Sequence, residues 1–116
     1  LPGLQPNGVP RGLKGTTLPF TYNDIEQLEK LIKDNHGEIT AIIMEVSRNE
    51  GPKDDYLQKV RELATENNIL LIFDECTSGF RETFGGLHKK YEVEPDLAIF
   101  AKSLGNGYAI SACIGK

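Results

Sequence analysis

A lysine, Lys102, stands between the apolar run LAIFA and the turn-forming cluster SLGNG, and an aspartate, Asp74, closes a second apolar run, ILLIF. A third polar residue, Glu45, ends the run ITAIIM. An ammonium group is a poor structural choice where an apolar strand meets a turn, whereas a desolvated amine has a depressed pKa and attacks carbonyl carbon. A carboxylate at a neighbouring strand end could hold the other end of the same small molecule. For any one of these charges taken alone, the plainer reading is that Asp74 caps the following turn and Lys102 extends to solvent or pairs with it. The combination favours chemistry.

The elements that must position these groups follow from periodicity. The segment NDIEQLEKLIKDNHGE sets Ile25, Leu28, Leu31 and Ile32 on one helical face, with Asn23 expected as N-cap, Glu26 at the capping-box position and Gly37 as the stop. ITAIIMEV (39–46) is continuously apolar and β-branched, as in a strand covered on both faces. GPKDDYLQKVRELATENN opens with Pro52 and sets Tyr56 or Leu57, Val60, Leu63 and Ala64 along one stripe, which predicts a second helix. Its Lys53, Asp54, Asp55, Lys59, Arg61 and Glu62 are expected on the solvated side. ILLIFDE (69–75) and DLAIFAK (96–102) read as two further strands, with GGLHKKYEVEPD between them forming a short helix ended by Glu94-Pro95. YAISACIG follows after too little chain for a crossover and is expected to pair antiparallel with its predecessor.

Strand, helix, strand, helix, strand is the order of an α/β fold with a mostly parallel sheet. In such a sheet ligands bind beyond the carboxyl ends of the strands, where Glu45, Asp74 and Lys102 all lie. If the second and third strands are neighbours, Asp74 and Lys102 enter one crevice from strands roughly 4.8 Å apart.

Composition narrows the function classes. With 39% hydrophobic and 26% charged residues over 116, the chain reads as an ordinary globular segment, and a net charge of −4 gives no basic surface for nucleic acid. No apolar run is long enough to cross a bilayer and no secretory signal is visible, so a cytoplasmic location is expected. Cys76 and Cys113 lack CxxC spacing and fit reduced thiols, and His36 and His88 lack a second ligand at metal spacing. The Pro- and Gly-dense start predicts an extended loop over 1–20, with 21–116 forming an incomplete domain, and the whole reads as a piece of something longer.

Two stretches, LLIFDECTSGFRETFGG and EPDLAIFAKSLGNGYAISACIG, resemble the central segment of class III pyridoxal-phosphate aminotransferases, particularly the glutamate-1-semialdehyde aminomutase-like branch. LPFTYNDIEQL and ITAIIMEVSRNEGP resemble the upstream segments of that branch. The resemblance implies part of the large domain of the type I transferase fold, a three-layer sandwich, and a parent enzyme that is a homodimer acting on a small amino donor and acceptor. It implies that Lys102 forms the Schiff base with the cofactor's aldehyde and afterwards serves as general base and acid, and that Asp74 pairs with the protonated pyridine nitrogen. Thr77 stands where many members carry a glutamine that reaches the cofactor's phenolic oxygen. Gly79, Phe80 and Arg81 follow the family's GFR segment, with Arg81 expected either to reach an acidic group or to pair structurally. Gly105 and Gly107 would allow a sharp turn beside the lysine. The family's Glu-Pro is Glu45-Val46 here, which leaves the role of Glu45 open. The phosphate-binding turn, the stacking aromatic and the partner subunit's threonine are expected outside this segment, so the segment alone is expected to be inactive, poorly soluble or self-associating.

Two other classes can be weighed. LLIFDE has the form of a magnesium-binding strand of nucleotide hydrolases, but Gly3 to Gly8 is followed by Val9 and Pro10 rather than Lys and Ser or Thr, so the phosphate loop fails. A non-catalytic α/β scaffold that binds a partner is the other alternative.

Overall fold

A computed structural model describes Gln5 and residues 7–116. Gly3, one of the two glycines of the rejected phosphate-loop reading, lies outside the described residues. The ordered elements are α1 (Ile25–Asp34), β1 (Ala41–Glu45), α2 (Tyr56–Glu66), β2 (Leu70–Asp74), β3 (Leu97–Phe100) and β4 (Ala112–Gly115), with short 3₁₀ turns at Arg11–Leu13, Leu87–Tyr91 and Lys102–Leu104. The strands form one sheet in the order β1-β2-β3-β4. The first two pairings are parallel and β3 with β4 is antiparallel. No helix among the described residues is long and apolar enough to cross a membrane.

The core lies on one face of the sheet. Ile42, Met44, Leu71 and Phe73 alternate inward and meet Leu28 and Ile32 of α1 and Tyr56, Leu57, Val60 and Ala64 of α2. Burial of each large apolar side chain there contributes roughly 1.5–3 kcal/mol, which is what holds the helices on the sheet. Among the described residues the opposite face is bare: Ile43 is 59% exposed and Leu70 45%. A continuous apolar run does indicate a strand with two apolar faces, but it carries no information on whether the second covering layer lies in the same stretch of chain. Here it does not.

Element ends depart from expectation for local reasons. Asp24, not Asn23, caps α1, accepting the Gln27 N–H at 3.0 Å. Asn23 adopts a left-handed backbone (φ 65) and uses its amide to stitch the loop after β1, bonding Gly51 O and Lys53 N at 3.1 Å each. Gln27 rather than Glu26 reaches back, to the Thr21 N–H. The start of α2 is Tyr56, because Asp54 and Asp55 take left-handed conformations (φ 49 and 57) that aspartate tolerates and a helix does not. Lys53, Asp54 and Asp55 therefore form its lead-in turn. Arg61 also departs from the solvated side: its guanidinium pairs with Asp96 at 2.7 Å, with only 21% of its side chain exposed. The short helix between β2 and β3 is a single 3₁₀ turn that ends at left-handed Glu92, two residues before Glu94-Pro95. The third strand is shorter than expected, and Lys102 begins the turn beyond it.

Candidate active site

The parallel register sets Glu45 beside Asp74 at the carboxyl ends of β1 and β2, and Asp74 beside Ile99 of β3. Alternation along β2 buries Leu71, Phe73 and Glu75 on the core side, so Asp74 shares the bare face with Leu70 and Ile72. One residue of register separates a half-exposed carboxylate from a wholly buried one.

Beyond β2 the chain enters a tight loop. Asp74 Oδ1 accepts the Cys76 N–H at 3.0 Å, so the aspartate does cap its own turn. A hydrogen bond from the Cys76 thiol to that carboxylate, with some desolvation, raises the thiol's pKa, and the charges of Lys102 and Glu45 also act on the thiol. Thr77 follows, exposed, and its Oγ1 accepts from Lys102 Nζ at 2.6 Å. Asp74, Cys76, Thr77, Lys102 and Glu45 thus occupy one rim. Among the described residues Lys102 makes no ion pair with Asp74, so the amine and the carboxylate share the rim without neutralising one another.

Lys102 sits in a left-handed backbone conformation, φ 47, at the first position of its 3₁₀ turn. The turn closes through Gly105 N to Lys102 O at 3.1 Å and Asn106 N to Lys102 O at 3.0 Å. The two glycines beyond it have different reasons to be glycine. Gly107 has φ +103 with open space where a Cβ would go, whereas Gly105 has an ordinary φ but would place a Cβ 2.3 Å from the Tyr108 carbonyl oxygen. Glu45 Oε1 pairs with Arg48 at 3.0 Å, and its buried Oε2 has no hydrogen-bond partner among the described residues. Arg81 turns to the backbone, its Nε donating to the Thr77 carbonyl, and Phe80 packs edge-on against Phe100 at 5.5 Å.

A carboxylate, an amine and a hydroxyl thus share one strand-end rim, the place where open α/β sheets bind small molecules. The class-III aminotransferase family model matches residues 15–116. The chain belongs to the class III aminotransferases. Among curated relatives of this family, a glutamate-1-semialdehyde 2,1-aminomutase of Methanococcus maripaludis is 46% identical over 113 residues, and a 3-aminobutyryl-CoA aminotransferase of Cloacimonas acidaminovorans is 42% identical over 115. Each match covers 94% of this chain, which spans about a quarter of the relatives' length, 26% and 28%. An omega-transaminase from Sphaerobacter thermophilus superposes with a TM-score of 0.85 at 30% identity, covering 95% of this chain and 26% of that one. A Sphingopyxis FumI protein in a PLP form superposes with a TM-score of 0.79 at 30% identity, over 85% and 25% of the two chains.

Two residues of this class III segment were not singled out as a pair by motif reading. Glu75 is completely buried and His88 is 5% exposed, and they meet at 2.8 Å. The Asp-Glu pair looks like two strand-end carboxylates in the sequence, and only the strand alternation of ILLIFDE indicates that the second one turns into the core.

Proposed function

We propose that the protein of which this segment is a part is a pyridoxal-phosphate enzyme that moves an amino group on a small amino compound, as an aminotransferase or an aminomutase, and that it works as a homodimer. The bound cofactor supplies an aldehyde that takes up amines and an electron-poor ring that accepts the electron pair left when a carbon-bound proton departs. The residues of this segment fit that group: an amine for the aldehyde and a carboxylate for the ring nitrogen stand on one rim, unpaired with each other. In this reading Lys102 is the covalent attachment point and, once released, holds and moves the proton at Nζ. Asp74 keeps a proton on the ring nitrogen by its negative charge. Thr77 steers the Lys102 amine and stands within the same rim for the ring's phenolic oxygen.

The observation that carries the reading is the placement of Lys102 Nζ, 2.6 Å from Thr77 and on the rim of Asp74, in a segment matching the class III family from residue 15 to 116. This segment by itself, a quarter of the relatives' length, is proposed to be inactive or nearly so. The test is full-length protein mixed with pyridoxal phosphate and then reduced with borohydride. The cofactor's mass should appear on the peptide bearing Lys102, accompanied by an absorbance band that borohydride bleaches, and Lys102→Ala should abolish both. A label on a different lysine, or none, overturns the proposal.

A further inference from the structure

We propose that Glu75 is a positioning residue: locked to His88 beneath the sheet, it fixes the loop that delivers the Thr77 hydroxyl to the Lys102 amine. Its catalytic meaning rests on the function proposed above, but the placement of the amine can be tested without it.

Glu75 takes four hydrogen bonds on a side chain with no solvent exposure. Its Oε1 accepts the His88 N–H at 2.9 Å and lies 2.8 Å from His88 Nδ1, the imidazole donating as an acceptor-only carboxylate requires. Its Oε2 accepts the Leu87 N–H at 2.9 Å and the Ser78 hydroxyl. The donors come from both ends of one loop, residue 78 on the outgoing side and residues 87 and 88 on the returning side. Thr77 sits between Glu75 and Ser78, so its direction is set by the residues the carboxylate grips.

The rest of the loop is tied in the same sense. Gly79 N donates to Glu75 O at 2.8 Å, Phe80 N to Gly85 O at 2.7 Å, and Arg81 Nε to the Thr77 carbonyl. There is no slack at the clamp itself: a Cβ at Gly86 would fall 2.3 Å from the His88 ring and 2.8 Å from Glu75 Oε1. A fully buried carboxylate is costly and well-packed apolar residues usually replace it without loss. Retaining one whose every bond orders a loop that carries a single exposed hydroxyl onto an exposed amine is what a positioning role requires. A carboxamide in its place can no longer accept all four donors, because one of its two heavy atoms is itself a donor.

The experiment labels the lysines of cofactor-free full-length protein with limiting acetic anhydride and follows the Lys102 peptide by mass spectrometry. Wild type, Glu75→Gln, Thr77→Val and the double variant are compared, with Lys30 as internal standard. Glu75→Gln and Thr77→Val should each raise the relative rate at Lys102 at least about threefold, within the range one lost hydrogen bond produces, and the double variant should add nothing beyond the larger single effect. A wild-type rate in Glu75→Gln, or effects that multiply in the double variant, overturns the proposal. If Glu75→Gln does not fold, Ser78→Ala, which removes one donor to the same carboxylate, must give the same non-additive rise with Thr77→Val. Failure of the function reading is seen separately, as absence of a borohydride-fixed cofactor on wild-type Lys102.

Discussion

Lys102 Nζ and Thr77 Oγ1 meet 2.6 Å apart across the gap between the turn after β3 and the loop after β2, and the lysine that makes this contact carries φ 47. A left-handed backbone costs a residue with a Cβ roughly 1–2 kcal/mol and costs glycine almost nothing. The exposed hydrogen bond offsets little of that. Lys102→Gly should therefore be more stable than Lys102→Ala by about 1 kcal/mol, the reverse of the usual order of the two residues. Urea unfolding of the two variants in the full-length protein measures the difference directly, and an alanine variant as stable as the glycine one would remove the argument for backbone strain at this position.

The pairing of Arg61 with Asp96 gives a dependence on acid. Burial alone would raise the Asp96 pKa, but the Leu71 N–H at 2.8 Å and the Arg61 guanidinium at 2.7 Å outweigh it and hold the carboxyl below its ordinary value. A depressed folded pKa means stability that is present above the unfolded value of about 4 and lost as pH falls through the lower folded value. Asp96→Asn should cost about 1–2 kcal/mol at neutral pH, where the charged bonds are intact, and should flatten the fall in stability below about pH 4. Urea midpoints across that range are the measurement. Parallel curves for the two proteins would show that Asp96 does not titrate with folding.

The architecture was legible because apolar runs and helical stripes are properties of side chains, and Ile25, Leu28 and Ile32 or Val60 and Ala64 face the sheet as their spacing requires. The site-bearing rim was legible for the same reason: polar residues that end apolar runs must lie at strand ends. What escaped was decided by competition among neighbours of like type. Asn23 and Asp24 can each cap a helix, and only the contact of Asn23 with Gly51 and Lys53 chooses between them. Arg61 looked solvated because its partner Asp96 lies 35 residues away. The buried Glu75 shares a dipeptide with the half-exposed Asp74, and their opposite destinies follow from strand alternation that a motif does not express.

The two glycines after Lys102 should respond differently to a methyl group. At Gly105 the added Cβ meets the Tyr108 carbonyl oxygen at 2.3 Å and Ile110 Cγ2 at 2.7 Å, so the turn that closes on Lys102 O must move. Gly105→Ala is expected to cost about 1–3 kcal/mol and to reduce borohydride-dependent labelling of Lys102. At Gly107 the space is open and the cost is conformational, about 1–2 kcal/mol from φ +103, with labelling retained. Thermal unfolding paired with peptide mass analysis separates the two, and equal labelling losses would mean that the turn transmits strain from either position.

Alkaline conditions probe the junction between α1 and α2. Tyr22 and Tyr56 lie edge to face with ring centroids 5.1 Å apart, and the Tyr22 hydroxyl donates to the Val46 carbonyl at the end of β1. Burial pushes the Tyr56 pKa up to about 12, with the Asp24 carboxylate adding to the rise, and burial together with Tyr56 raises Tyr22 as well. The neutral phenol is the folded form, so a raised folded pKa means stability that is complete below the unfolded value of about 10 and is lost as pH climbs from there through the folded value. Tyr56→Phe removes one titrating group and should make the decline above about pH 10 shallower while leaving neutral-pH stability within about 1 kcal/mol of wild type. Tyr22→Phe also removes the bond to Val46 and should cost about 1 kcal/mol at neutral pH. The two effects are distinguishable by following urea midpoints against pH, since only the Tyr22 variant should start lower, and a Tyr56 variant whose alkaline decline matches wild type would place that ring in contact with water.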